Sequence, residues 1–274
     1  MRVDCHQHFW RLDRGDYTWL TPDFTPIYRD FGPQDLVPYL DRHGIEATVL
    51  VQAAATVAET DHMLDVAAGH SFVHGVVGWV DFDTPGVVGD IDRLAQNPLI
   101  KSFRPMIQDI ADPDWMLQPH LAPGLAALQQ HDIAFDALLK PPHLRPFRRF
   151  LELYPKLRIV IDHGAKPAIA AGGFEFWARE MREIARDPRV FCKLSGLATE
   201  AGVDWKEARL RPYVDLLLAA FGPARLMWGS DWPVVNLAGG YDRWHAATQA
   251  LIAALSASEQ DAILGGTATS FYRL

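Results

Sequence analysis

Apolar residues along this 274-residue chain gather into eight short runs, near residues 2–8, 46–53, 73–82, 99–104, 133–139, 157–163, 189–195 and 225–231. Most are continuous rather than alternating, the pattern of strands covered on both faces. Between several of them, apolar residues recur every three or four positions, which predicts helices. Pro33 to His43 opens with proline in a first turn and stops at Gly44. Phe174 to Ala185, Arg209 to Phe221 and Trp244 to Leu255 follow the same spacing. A last helix is expected to start at Ser256, where Glu259 completes a capping box, and to stop at Gly265-Gly266. Strand and helix alternating eight times predict an α/β protein, a (β/α)8 TIM barrel. No linker rich in Gly, Ser or charge divides the chain, so residues 1–274 are expected to form a single domain.

Three of the runs end in polar groups that carry chemistry. The first ends in Cys5-His6-Gln7-His8, the sixth in Asp162-His163-Gly164 and the last in Gly229-Ser230-Asp231-Trp232-Pro233. On a regular strand His6 and His8 share one face, while Cys5 and Gln7 take the other, so Cys5 is expected to pack against the outer helices. Two imidazoles on one face can grip a metal or polarise a substrate oxygen. A parallel barrel brings such strand ends together at one mouth. The segment Phe9 to Phe31, rich in Trp, Tyr, Asp and Pro, is then expected to lie over that mouth.

Charge and composition narrow the partners. The net charge of −8 argues against nucleic acid and against an anionic membrane surface, which leaves a small-molecule substrate. No apolar run reaches the ~18 residues of a membrane span, and the start of the chain carries no signal-peptide pattern. The two cysteines, Cys5 and Cys192, both fall in apolar runs, as expected of reduced thiols in a cytoplasmic protein. A homo-oligomer is compatible with this pattern, because periodicity does not separate core from interface.

The chain resembles the amidohydrolase superfamily, and within it the sugar-lactonase branch that contains L-fuconolactonases and L-rhamnonolactonases. The ordered set that carries the resemblance runs nearly end to end. It includes Asp4-Cys5-His6-Gln7-His8-Phe9-Trp10, Val51-Gln52-Ala53, Gly75-Val76-Val77-Gly78-Trp79, Lys101-Ser102-Phe103-Arg104, Asp162-His163, Lys193-Leu194-Ser195-Gly196-Leu197 and Gly229-Ser230-Asp231-Trp232-Pro233. Two departures stand out. Gly164-Ala165-Lys166-Pro167 replaces a more usual Leu-Gly-Lys-Pro, and Gly266-Thr267-Ala268 replaces a Gly-Asn-Ala turn.

The resemblance implies hydrolysis of a sugar lactone to its aldonic acid. Asp231 is then the general base, with His6, His8 and His163 completing the catalytic set. His6, His8, His163 and Asp231 together would hold one divalent ion, zinc above others; a metal-free mechanism is the open alternative. Two ions are not expected, since no histidine ends the seventh run, where Lys193-Leu194-Ser195 stands. Arg104 and Lys140, at the ends of the fourth and fifth runs, are the candidate substrate-binding cations, and in a metal-free site they or a protonated histidine would polarise the carbonyl. Trp232 and Trp10 are candidate platforms for a sugar ring. Three other readings remain: hydrolysis of a pyrone lactone, which wants several inward arginines; non-oxidative decarboxylation of an aromatic acid; and a non-catalytic sugar-acid binder.

Overall fold

The computed structural model describes residues 1–274. Eight parallel strands follow one another around a barrel in chain order: β1 Val3–Gln7, β2 Ala47–Val51, β3 Val73–Gly78, β4 Ile100–Phe103, β5 Ala134–Ala137, β6 Ile159–Ile161, β7 Val190–Leu194 and β8 Leu226–Trp228. Every one lies within an apolar run of the sequence. The runs overshoot the strands because their last residues turn out of the ladder at the barrel mouth.

Helices return the chain from each strand to the next: α1 Pro33–His43, α2 Val57–Ala68, α3 Val87–Leu94, α4 Ala122–Gln130, α5 Leu144–Leu153, α6 Glu175–Ile184, and α7 Leu197–Ala201 with α8 Glu207–Phe221. After β8 come α9 Tyr241–Ile252, α10 Ala257–Asp261 and α11 Thr267–Tyr272. The bounds of α1 coincide with those read from its sequence, because Pro33 starts it and Gly44, at φ 62°, ends it. At α10 the capping box forms: Glu259 N–H donates to Ser256 Oγ, and the Glu259 carboxylate accepts from Ser256 N–H at 2.8 Å. The expected stop at Gly265-Gly266 is instead a wide turn from which α11 continues. Gly265 is required there by close approach, since a Cβ would lie 2.1 Å from the Met1 carbonyl oxygen. No helix is long and apolar enough to cross a membrane.

The sheet closes between β1 and the segment after β8. His8 N–H donates to Trp232 O (2.7 Å) and Asp231 N–H to His6 O (2.8 Å), while the Asp4 carboxylate accepts from Ser230 N–H (2.8 Å). Closure therefore carries Asp231 to the two histidines of β1.

Two apolar cores result. The larger lies between the sheet and its helices. The smaller fills the barrel interior, where Val3, Cys5, Val49, Val51, Val77, Val160 and Met227 meet Ala268, Phe271 and Tyr272 of α11. Cys5 thus faces inward, against the expectation from regular alternation. The register of β1 on β2 shifts between Asp4 and Gln7, so Cys5 and His6 together stand opposite one residue of β2. That extra residue is a β-bulge, and it turns two successive side chains to the same side. The thiol is fully buried, and burial pushes it well above its ordinary range, away from the reactive thiolate.

Candidate active site

His6, His8, His163 and Asp231 converge at the C-terminal mouth of the barrel. Asp231 Oδ1 lies 3.3 Å from His8 Nε2, 3.8 Å from His6 Nε2 and 3.9 Å from His163 Nε2. All four residues are buried. Neighbours set each ring. His8 Nδ1 meets Val51 O at 2.7 Å; a carbonyl only accepts, so Nδ1 carries the proton and Nε2 faces Asp231. His163 Nδ1 pairs with Ser195 Oγ at 2.8 Å. Burial holds the His163 imidazole down at about 3, so it is neutral through the ordinary pH range. Burial also pushes the Asp231 carboxyl upward, but His163, His8 and Lys166 outweigh it and leave it below the usual carboxylate range.

Beneath these groups lies a layer of buried ion pairs that sequence reasoning did not find. Lys193 of β7 sits 2.6 Å from Asp136 Oδ2 of β5 and 2.9 Å from Asp162 Oδ1 after β6, and donates to His6 Nδ1 at 3.1 Å. Tyr272 of α11 donates its hydroxyl to the same Asp136 oxygen at 2.7 Å. Arg104 Nη1 reaches Asp162 Oδ2 at 3.1 Å and His6 Nε2 at 3.3 Å, and its Nη2 donates to the Gln52 carbonyl. Burial alone would raise Asp162, but Lys193 and Arg104 hold it well below the usual range; Asp136 and Asp162 likewise hold Lys193 charged against its burial. These contacts involve side chains from strands far apart in sequence, so no local spacing announces them.

The donor atoms of His6, His163 and Asp231 lie within 4.8 Å of one another, with His8 Nε2 against the same carboxylate oxygen. With His8 Nδ1 donating to Val51 O, Nε2 stands 3.3 Å from Asp231 Oδ1, where a cation or a proton can sit between them. One divalent ion fits this donor set. A second does not, because Lys193 stands where β7 would supply a further ligand and its ammonium is paired. Within the set His6 is the least free, since it meets an ammonium at one nitrogen and a guanidinium at the other.

Above the histidines opens a cleft of about 680 Å³, walled by His8, His163, Asp231, Arg104, Lys166 and Trp19 among others. Four expected substrate-binding residues fare differently. Arg104 reaches the wall, but its Nη donors are taken by Asp162, His6 and Gln52. Lys140 does not line the cleft: it lies half-exposed at the rim and donates to Gln108 O at 3.0 Å. Trp232 is fully buried against Phe9 and Phe31, because it follows inward-facing Asp231 and so points outward. Trp10 is also fully buried, since the chain has left β1 by then and pairs with Phe31; its indole donates to Arg29 O. Trp19 takes the place at the cleft expected of them, fixed by an indole hydrogen bond to Ala53 O at 2.7 Å. The 9–31 segment does cover the mouth as expected, and Trp19 is its contribution.

The amidohydrolase family pattern matches residues 3–274. An L-fucono-1,5-lactonase of Burkholderia ambifaria is 48% identical over an alignment covering 100% of this chain and 96% of that protein. An L-fucono-1,5-lactonase of Burkholderia multivorans is 36% identical over the same shares. The crystal structure of an amidohydrolase from Burkholderia multivorans with bound zinc superposes with a TM-score of 0.93 at 36% identity, covering 100% of this chain and 99% of that one. The barrel, the strand-end histidines with Asp231 and the full-length similarity agree, and the chain belongs to the amidohydrolase family.

Proposed function

We propose that this protein hydrolyses a sugar lactone, of the L-fucono-1,5-lactone type, to the aldonic acid. The observation that carries this reading is a cleft lined by Asp231, His8 and His163, with His6 beneath them, in a chain 48% identical along its length to an L-fucono-1,5-lactonase. Asp231 Oδ1, held as carboxylate, accepts a proton from the attacking water. The water oxygen bonds to the ring carbonyl carbon, the ring C–O bond breaks, and Asp231 returns the proton to the departing alkoxide. The aldonic acid then ionises and releases one proton to solution.

His6, His163 and Asp231, with His8 beside them, are the residues that would hold a zinc ion, which when bound supplies Lewis-acid polarisation of the carbonyl and a more acidic water. His8 and His163 orient Asp231 whether or not that ion is present, because Val51 and Ser195 fix their rings. The pyrone-dicarboxylate reading is not favoured: Arg104 is the only arginine in the cleft wall, and its Nη donors are engaged. The reading includes a single domain and a cytoplasmic enzyme, the latter supported by two free buried thiols.

The test is proton release, followed with a pH indicator, on L-fucono, L-galactono and L-rhamnono lactones and their D-epimers, with metal content measured on the same preparation. Fast acidification in the L-fucono and L-galactono series with one bound zinc per chain is expected. A flat panel from zinc-supplemented folded protein would overturn the lactonase reading.

A further inference from the structure

We propose that Lys166 is the cation that receives the lactone carbonyl oxygen as negative charge develops on it, and that then holds the product carboxylate. The inference rests on the lactonase reading and adds a catalytic residue to it.

The first observation is the backbone. His163, Gly164, Ala165 and Lys166 run in succession through the left-handed region, at φ 54°, 55°, 59° and 46°. Three of them carry a Cβ, which crowds the following carbonyl oxygen in this form and makes it costly. The surroundings hold this turn in place. Trp177 of α6 donates its indole to Gly164 O at 2.7 Å, and Lys166 N–H closes back on His163 O at 2.9 Å. Pro167 disfavours the right-handed helical conformation at Lys166. The consequence is that His163 and Lys166, three residues apart, both enter one cleft. Strain kept at such a position marks a site where two side chains must be aimed together.

The second observation is the state of the lysine. Each of the other cations at or below the cleft is committed: Lys193 to Asp136 and Asp162, Arg104 to Asp162 and Gln52, Lys140 to Gln108. The Lys166 ammonium makes no hydrogen bond and no ion pair within the protein, although it is largely enclosed. Asp231 and Glu200 act on it through the field alone, without an ion pair. Three ammonium donors are therefore available to a ligand. Burial weakens the hold on its proton, which makes the group a stronger donor while it remains charged.

The third is chemical fit. The lactone carbonyl is neutral, the tetrahedral adduct places a full charge on its oxygen, and the product is a carboxylate. A fixed cation in an enclosed site gains most where that charge is greatest, so it favours the transition state over the bound substrate. Lys140 does not reach the cleft, which leaves Lys166 as the lysine that lines it.

The experiment compares wild type with Lys166→Met, Lys166→Arg and Lys166→Cys, the last before and after aminoethylation with 2-bromoethylamine. Both native thiols are fully buried, so position 166 is the one modified. Turnover is measured on the best lactone in zinc-supplemented buffer. Calorimetry measures binding of the product aldonate and of the matching alditol, which lacks the carboxylate. Lys166→Met is expected to lower kcat by about 10²–10³-fold. It is also expected to weaken aldonate by about tenfold while leaving the alditol unchanged. Aminoethylation of the cysteine variant restores kcat. A methionine variant as fast as wild type, or one that loses alditol binding and thermal stability together with activity and is not rescued, would overturn the assignment. A wild type inactive on every lactone would instead bring down the lactonase reading and this inference with it.

Discussion

Two layers of charge are stacked in this barrel, and they differ in whether their charges are satisfied. In the lower layer Lys193, Asp136, Asp162 and Arg104 neutralise one another, and Tyr272 donates into the same network. In the upper layer Asp231 faces three imidazole nitrogens across gaps of 3.3–3.9 Å, and Lys166 faces only the cleft. Buried charge with matched partners is architecture: breaking a pair is costly, and the pair's charge is already neutralised. Buried charge left open has to be completed by something from outside. The comparison teaches that burial alone does not identify a catalytic group; a charge that faces the open cleft without being neutralised does.

The sharpest way to break the comparison is Asp231→Asn in the upper layer. Turnover should fall by about 10²–10⁴-fold, the usual contribution of a positioned acid–base group, while the melting temperature stays near that of wild type. Equal losses of stability and activity would mean that Asp231 belongs to the architecture instead.

Lys193→Met is the counterpart in the lower layer. It leaves Asp136 with only the Tyr272 hydroxyl and Asp162 with only Arg104, and should cost about 3–5 kcal/mol in urea unfolding. The pH profile carries the sign. Lys193 and Arg104 depress Asp162, so its stabilisation is present above the ordinary carboxylate range and lost as pH falls below it. In the variant that acid-side loss should shrink. An unchanged acid limb would show that Arg104 alone holds Asp162.

Tyr272→Phe is a smaller step in the same layer, removing one hydrogen bond to Asp136 worth about 1.5–3 kcal/mol. It should lower the urea midpoint and leave KM for the lactone unaltered.

Glu59 gives the intermediate case, a fully buried carboxylate that accepts from the Ala53 and Ala54 amides at 3.0 and 2.7 Å and has no cation paired with it. Burial pushes it up to about 7, with those amides opposing. A raised carboxyl stabilises the fold below its unfolded value, and that contribution is lost as pH rises through about 7. Glu59→Gln should therefore show a shallower fall in stability between about pH 4.5 and 7 than wild type, measured as urea midpoints; an equal slope would place the titration elsewhere.

How much of this was legible before folding differs by residue. The eight apolar runs located all eight strands, because a strand buried on both faces must be apolar nearly throughout. His6, His8, His163 and Asp231 were legible as strand-end polar groups. Cys5 was misplaced, since a one-residue bulge in β1 reverses the alternation and depends on pairing with β2. Trp10 and Trp232 looked like sugar platforms by position, but one leaves its strand to pair with Phe31 and the other faces out behind Asp231. Lys140 stood out because it follows a strand directly, and Lys166 did not stand out as a site residue. The left-handed turn that aims Lys166 has no signature in periodicity.

The sequence by itself determined the class of fold, the order of its strands and the residue types at their ends. Apolar runs, caps and turn residues are local and act wherever they stand. Only the tertiary structure decided which charges are spent and which are free. The partners of Lys193, Arg104 and Asp162 come from different strands, and a hydrogen bond between strands exists only after the barrel has closed. Asp231 and Lys166 are left facing the cleft with their charges uncommitted, a property of the whole assembly and not of any segment.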